Sequence, residues 1–293
     1  MGIMCSLNQI SLIKYMLKTL ERPIIKRFNE TDWEFINPES YDNEIVADEF
    51  WKAVEILDYD DKRAEDVFKK LIEKYPFYID AYVHLSIAFR NQKKTFESLL
   101  TAEKAYNISR ECLPKEFNSK KHKIIWSWLE NRPFLRAYLN YALESIEHKN
   151  YEIAISVLKD ILNFNENDNQ GIRYTLLETY LKLKNFDKAK KIIKKYKDDF
   201  SIEFKFGEVA LAVLDGNTKK ADILLKEAIQ TNNFFIDEIK KEKHIKPAPY
   251  RIPGEPFFDA GIPIGSVQQA YEYWSRNKDL YKNKKIIEYF KYK

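Results

Sequence analysis

Six polar side chains at helical spacing are the residues best suited to chemistry in this sequence: Arg132, Arg136, Asn140, Arg173, Tyr174 and Glu178. Guanidinium groups bind carboxylates or phosphates through paired hydrogen bonds, and an amide such as Asn140 can pair with a peptide backbone. The set predicts a site for an acidic or C-terminal protein segment. The alternative is structural: Arg136 and Arg173 form ion pairs that fix neighbouring stretches of chain, with Glu144, Glu178 or Asp168 as partners.

No catalytic or metal-binding pattern accompanies these residues. The four histidines are scattered, and none has another histidine or a cysteine three or four residues away, so zinc spacing is absent. The sequence also contains no G-x-S-x-G and no G-x-x-x-x-G-K motif, which removes the common hydrolase and nucleotide signals. We therefore predict no catalytic residues, no metal, no cofactor and no enzymatic activity.

A second candidate surface is a lysine-rich helix predicted over residues 182–197. Its lysines surround the apolar residues Ala189, Ile193 and Tyr196. The helix could touch phosphate, and the C-terminus adds a basic run at residues 282–293, so an RNA-associated protein is the alternative function. A solvated outer face is the simpler interpretation, because no aromatic stacking platform accompanies the lysines.

Composition favours a soluble helical protein. Hydrophobic residues make up 45% of the 293 positions, which is ample for a core, and only 7 glycines argue against glycine-rich loops and tight-hairpin sheets. A formal charge of +4 implies no bulk polyanion partner. Two cysteines suggest a reducing compartment, and residues 3–20 lack the continuous apolar run of a signal peptide or membrane span. We expect a cytoplasmic protein.

A repeated apolar pattern determines the predicted fold. In this pattern, an alanine is followed four positions later by a large residue and three positions after that by another large residue. It occurs as Ala154, Leu158, Ile161 and as Ala189, Ile193, Tyr196, with the two alanines 35 residues apart. Weaker copies are Ala64, Phe68, Leu71; Ser98, Ala102, Ala105; and Ala221, Leu225, Ala228. Such spacing places each set on one helical face. A second helical pattern precedes each set, so the unit is a helical hairpin whose turn carries Asn150, Asn185 or Gly216, residues that tolerate the left-handed conformation.

These repeats resemble the tetratricopeptide repeat (TPR) family, whose period is 34 residues. The resemblance implies an all-α, right-handed superhelical α-solenoid of about five helical hairpins with a C-terminal helical cap. In that family the first helices of the hairpins line a concave groove, where the six polar side chains would converge. It therefore implies a non-catalytic protein-protein interaction scaffold or adaptor. The clamp of chaperone-binding relatives is not evident, since Val83, Leu139, Tyr174 and Phe206 are expected to face the groove instead.

Two segments carry a narrower resemblance, Glu130 to Tyr138 (ENRPFLRAY) and Asn167 to Tyr174 (NDNQGIRY). They look like a prokaryotic TPR family of undefined role that is distantly similar to the suppressor of tumorigenicity 7 protein. That resemblance implies an interaction protein and supplies no catalytic residues.

The predicted organisation has three parts. Residues 1–44 form an N-terminal segment, partly disordered or a short helix at 10–20. Residues 45–235 form the array, with an insertion at 110–130 that is expected to contain a lengthened helix, an exposed loop and a short apolar helix. Residues 236–293 form a proline-rich linker followed by capping helices, whose apolar positions begin at Val267.

Overall fold

The computed structural model describes residues 21–250 and 261–293. The chain forms two compact units, Met1–Gln170 and Gly171–Lys293. The helix predicted at 10–20 lies outside the described residues. The three-part division into 1–44, 45–235 and 236–293 stays a prediction, and each unit is described separately below.

Unit 1 contains three helical hairpins. They pair α1 (Glu44–Leu57) with α2 (Asp61–Lys74), α3 (Ile79–Asn91) with α4 (Thr95–Glu111), and α5 (Arg132–Glu147) with α6 (Tyr151–Phe164). The predicted small-large-large sets lie on the second helices α2, α4 and α6, and every one of their members is buried. A small residue at the first position lets the preceding helix approach closely, which explains the recurrence of alanine or serine there.

The turns inside the hairpins place the left-handed residue one position earlier than predicted. Lys149 and Lys184 have φ of 61° and 57°, whereas Asn150 and Asn185 have φ of −82° and −86°. Gly216 does adopt positive φ, at 76°. The prediction for the two asparagines was therefore wrong. The side chain of Asn185 instead caps the next helix, where it accepts a hydrogen bond from the amide of Lys188.

The described part of the N-terminal segment contains a β-hairpin that the sequence pattern did not predict. Strands β1 (Ile24–Arg27) and β2 (Trp33–Ile36) pair antiparallel with Ile24 opposite Ile36. In β2, Trp33 and Phe35 point inward and are buried, while the alternate residues are partly exposed. A four-residue strand offers only two inward positions, so its periodicity is too short to stand out in the sequence.

The insertion also differs from its prediction. Helix α4 does extend to Glu111, but the segment after it is largely irregular and ends in one turn of 3-10 helix, Leu129–Asn131. Ile124 is buried, and its amide donates to the carbonyl of Phe164 at 3.0 Å. The apolar run around Ile124 is therefore irregular chain with a turn rather than a short apolar helix.

The described residues of unit 2 form two hairpins and three further helices. The hairpins pair α7 (Ile172–Lys182) with α8 (Phe186–Lys195), and α9 (Ile202–Leu214) with α10 (Thr218–Thr231). A short helix α11 (Phe235–Lys240) lies within the predicted linker, and α12 (Val267–Tyr281) and α13 (Lys284–Lys291) follow it. The all-α class, the five TPR-like hairpins and the C-terminal helical cap are confirmed.

Aromatic residues hold the cap in place. Phe235 of α11 contacts Phe206 of α9 with ring centroids 4.6 Å apart, and it contacts Tyr273 and Tyr281 of α12 at 4.9 Å each. Phe290 of α13 is fully buried in the same cluster. Phe206, which was expected to face a groove, is therefore covered by the cap.

Candidate ligand-binding site

Arg136 on α5 is held in unit 1 by a carboxylate of the preceding hairpin. Its Nε donates to Asp80 Oδ1 at 2.9 Å, and its Nη2 donates to Asp80 Oδ2. The aspartate is buried, whereas about a third of the arginine side chain is exposed. No hydrogen bond among the described residues uses the Nη1 amino group of Arg136, so this group keeps its donors for another molecule.

Asn140 lies one turn further along α5, in a second polar group. Arg90 on α3 donates from Nη2 to Asn140 Oδ1 at 3.0 Å, and its Nε lies 2.9 Å from Glu144 Oε1. Burial raises the pKa of Glu144, although the charge of Arg90 opposes that rise. Asn140 is only 5% exposed, and its Nδ2 donor has no partner in the part of the chain that the structure describes.

Arg132 and its neighbour Asn131 have a local structural role. Arg132 Nε donates to the carbonyl of Trp126 at 3.2 Å, and the guanidinium lies 5.2 Å from the centroid of the Trp126 ring. Asn131 is fully buried; it accepts from the amide of Phe35 at 2.7 Å and donates to the carbonyls of Trp33 and Ile125. The start of the ENRPF segment therefore fastens the β-hairpin to the helices.

Arg173 and Tyr174 begin α7 in unit 2 and contact each other. Arg173 donates from Nε to Asp199 Oδ2 at 2.6 Å and from Nη2 to the Tyr174 hydroxyl, with its guanidinium 4.2 Å from the ring centroid. Gly171 has φ of 69°, and a Cβ added there would lie 3.0 Å from the Tyr174 ring. Glycine is required at this position both by the left-handed backbone and by the close approach of tyrosine.

The pKa values of this group follow from burial and hydrogen bonding. Burial alone would raise the pKa of Asp199, but hydrogen bonds from Arg173 and Ser201 lower it below its ordinary value. Burial raises the pKa of Tyr174, and the charge of Asp199 raises it further. The tyrosine is thus a neutral hydroxyl beside a charged ion pair.

A cavity of about 540 Å³ opens beside Arg173 and Tyr174 within unit 2. Its lining mixes carboxylates with apolar side chains, and two of the latter, Phe200 and Ile264, are exposed to solvent. Pockets that hold ligands combine apolar walls with a few polar groups, and this cavity has that composition. Two of the six candidate residues therefore line a cavity large enough for a side chain or short peptide.

Glu178, the last candidate, lies under the C-terminal helix α12. Arg276 donates to both of its carboxylate oxygens at 3.1–3.2 Å, and Asn277 Nδ2 donates to Oε1 at 3.0 Å. Arg276 also contacts Glu203 of α9 at 2.9 Å. Burial raises the pKa of Glu203, as does the charge of Glu178, while Arg276 opposes both effects. Glu178 thus binds the chain's own cap.

The lysine-rich segment, predicted as one helix over 182–197, is interrupted by a turn: Lys182 ends α7, and α8 begins at Phe186 and ends at Lys195. The prediction of one continuous helix was wrong. Its lysines beyond Lys182 are exposed, while Ala189 and Ile193 are buried, in agreement with an outward-facing surface. Lys190 pairs with Asp215 at the end of α9 at 2.8 Å. The other candidate basic surface, residues 282–293, contributes Lys293 to an ion pair with Asp222.

Sequence reasoning missed the hydrogen-bonding partners of the candidate residues, namely Asp80, Arg90, Asp199, Arg276 and Asn277. Asp80 and Arg90 lie on a first helix that the repeat pattern had located, so alignment of adjacent first helices would have brought them toward Arg136 and Asn140. No repeat connects Arg276 to Glu178, because α12 lies outside the array.

Within residues 21–250 and 261–293, no group of three or more His, Cys, Asp or Glu is arranged to hold a metal ion. In the same ranges no helix has the length and apolarity needed to cross a membrane.

Comparison with known proteins gives one family and several distant structures. The family described as "Transcriptional repressor TCF25" matches residues 33–293. The chain is similar to a tetratricopeptide repeat protein from Parabacteroides merdae, with 19% identity, a TM-score of 0.48 and coverage of 63% of this chain and 65% of that one. It is also similar to YrrB, described as a TPR protein with an unusual peptide-binding site, with 14% identity, a TM-score of 0.45 and coverage of 62% and 84%. A MamA protein matches with 15% identity, a TM-score of 0.46 and coverage of 69% and 100%. The comparison with curated proteins finds no match.

Proposed function

Because this chain belongs to the Tcf25 family, we propose that it works as a non-catalytic scaffold that binds a protein segment on the first helices of its hairpins. The observation that carries the proposal is the pair of unused donors on α5: the Nη1 group of Arg136 and the Nδ2 group of Asn140. The Nδ2 group of Asn140 is buried, and a buried donor without a partner costs about 1–3 kcal/mol, so native structures rarely keep one without a use. Arg136 is about a third exposed, so its Nη1 group is within reach of a ligand.

The ligand that suits these donors is an acidic or C-terminal protein segment. Arg136 presents its Nη1 hydrogens beside an already neutralised ion pair, so a ligand carboxylate or carbonyl binds there without displacing Asp80. A carbonyl or carboxylate of the ligand would supply the acceptor that the buried Nδ2 of Asn140 lacks, while Arg90 keeps its bond to Oδ1. Arg132 extends the same helical face by one turn.

A separate candidate contact lies within unit 2, in the cavity beside Arg173 and Tyr174. A ligand side chain would pack on the apolar wall near Phe200, and the Tyr174 hydroxyl supplies a neutral hydrogen bond. Glu178 does not meet the ligand directly; it orders the cap through Arg276.

Photo-crosslinking in the native cell tests the proposal. A benzoylphenylalanine in place of Arg132 or Phe200 should crosslink to one defined protein, because both positions border the proposed contacts. The matched controls are Lys159 and Lys191, which are exposed on the second helices α6 and α8. Equal crosslinking from the control positions, or no protein adduct from Arg132 and Phe200, would contradict the assignment.

RNA association is the alternative function, and the exposed lysines of α8 favour it. In that case recovery of the partner should depend on nuclease treatment and fall steeply with added salt. Crosslinks would then come from Lys191 and pass to nucleic acid.

The cellular process is a further proposal. The family description names transcriptional repression, which suits a scaffold that assembles a repressor complex. Cytoplasmic placement remains the prediction from sequence, and imaging of the tagged chain distinguishes cytoplasm from nucleus. The narrower resemblance to the prokaryotic family and to the suppressor of tumorigenicity 7 protein also stays a prediction.

A further inference from the structure

The outer edge of strand β2 is only partly paired. The amides of Ile25 and Phe35 bond to Cys112 and Asn131, so these facing residues do not bond to each other. Because hydrogen-bonded and non-bonded pairs alternate in an antiparallel ladder, the carbonyl of Phe35 must also point to the outer edge. Among the described residues it accepts no hydrogen bond.

A cavity of about 430 Å³ borders this edge, and its lining belongs entirely to unit 1: Glu34, Phe35, Ile36, Asn37, Asp42, Leu129, Glu130 and Pro133. Three of these residues are carboxylates and none is a cation. Their carboxylates form no ion pair with the described residues, although Lys26 lies opposite Glu34 in the sheet. The surface beside them is apolar, since Leu129 is 63% exposed.

Two polar atoms at this cavity are unused, and both are acceptors. The Oδ1 of Asn37 is buried and has no partner among the described residues, which matches the unused carbonyl of Phe35. Acceptors in this state require N–H donors, and three carboxylates require a positive charge. A lysine or arginine side chain meets both requirements, and arginine does so better because its five N–H groups are fixed in a plane.

We propose that this cavity, lined by Glu34, Asn37, Asp42 and Glu130, binds a basic side chain, best arginine, of an extended partner segment whose neighbouring apolar residue packs on Leu129. The occupant follows from charge complementarity. The chain as a whole carries a formal charge of +4, so its general field repels a basic segment and the attraction is local. The site lies outside the first-helix faces, and its test is independent of the proposed function.

The experiment measures fluorescence polarisation of a labelled octapeptide in which leucine, arginine and serine alternate, titrated with the full chain at low ionic strength. Replacing Glu34 and Glu130 together by glutamine should weaken binding about five- to tenfold, because two partly exposed charge contacts are lost. The matched control replaces Glu116 and Glu152, which are exposed elsewhere in unit 1, by glutamine. It has the same net charge and should bind as the wild type does.

Two further peptides test the chemistry. Citrulline in place of arginine keeps the shape of the side chain but removes its charge. The citrulline peptide should therefore bind weakly, and equally, to the wild type and to both double variants. Glutamate in place of arginine should not bind. The inference is overturned if both double variants weaken binding equally, if neither does, or if the citrulline or glutamate peptide binds as tightly as the arginine peptide. Thermal melting of both variants checks that each remains folded.

Discussion

The first helices of unit 1 and unit 2 carry the same kinds of polar residue but satisfy them differently. In unit 1, the partner of Arg136 is Asp80, which comes from the preceding hairpin. In unit 2, Glu178 and Glu203 are joined by Arg276, which belongs to the C-terminal helix α12 rather than to a repeat. In unit 1 the ion-pair partners on this face come from neighbouring repeats, and in unit 2 they come from the cap.

This difference shows how one repeat pattern yields either an open or a closed surface. Where repeats supply both partners, a buried donor remains unused, as at Asn140. Where the cap supplies the partner, buried tyrosines accompany it: the hydroxyls of Tyr273 and Tyr281 lie 2.9 Å apart in the core. Binding is therefore expected from unit 1 and from the cavity beside Arg173, whereas the face around Glu178 serves stability.

The largest expected effect comes from removing Glu178, the carboxylate that binds the cap in unit 2. Glu178→Ala removes the buried acceptor that Arg276 and Asn277 share, which should cost about 2–3 kcal/mol of unfolding free energy because Arg276 keeps its contact with Glu203. Urea unfolding measures the loss, and hydrogen exchange should rise first in α12. Asp215→Ala is the control, because its pair with Lys190 lies at the surface and should contribute less than about 1 kcal/mol. Equal losses from the two variants would remove the distinction between the faces.

A smaller loss is expected at the open face. Asp80→Asn removes the charge opposite Arg136 but keeps an oxygen acceptor for this single partner, so the cost should be about 1–2 kcal/mol. The control Asp66→Asn removes an exposed i,i+4 pair with Lys62 and should change stability by only a few tenths of a kcal/mol. If Asp80→Asn cost as much as Glu178→Ala, the unit 1 face would be as closed as that of unit 2.

Asp199 in unit 2 and Glu144 in unit 1 should contribute pH dependence of opposite sign. The pKa of Asp199 in unit 2 is lowered, so its contribution is present above the unfolded value of 3.8 and is lost as pH falls below it. The pKa of Glu144 in unit 1 is raised above 4.5, so the folded state gains stability as pH falls through that raised pKa. Unfolding free energy is measured against pH for the wild type and for each variant. In Asp199→Asn, the decline of the unfolding free energy at acidic pH should become smaller. In Glu144→Gln, the rise of the unfolding free energy on moderate acidification should become smaller. The same sign in both variants would contradict the assignment.

The repeat faces were predictable because helical periodicity is a local property. Ala154, Leu158 and Ile161 lie on one face of any helix that contains them, and the structure buries all three. Long-range partners were not predictable in this way. Arg276 reaches Glu178 across 98 positions, and Asn131 reaches Trp33 across the same separation, without any repeat that aligns them. The candidate residues were thus identified by type, and their partners required the structure.

The smallest expected effect concerns the turns that join the helices of each hairpin. Lys149 of unit 1 holds φ of 61°, whereas Gly216 of unit 2 holds φ of 76° at the corresponding turn. A side chain added at Gly216 meets nothing within 4 Å, so Gly216→Lys should lose only the backbone cost of the left-handed conformation, about 1 kcal/mol. Lys149→Gly should gain a few tenths of a kcal/mol, because the relief of that cost is partly offset by the greater entropy of glycine in the unfolded chain. Chemical unfolding of the two variants measures both changes. If Lys149→Gly were as destabilising as Gly216→Lys, the lysine side chain would be contributing contacts of its own, and the two turns would not be equivalent.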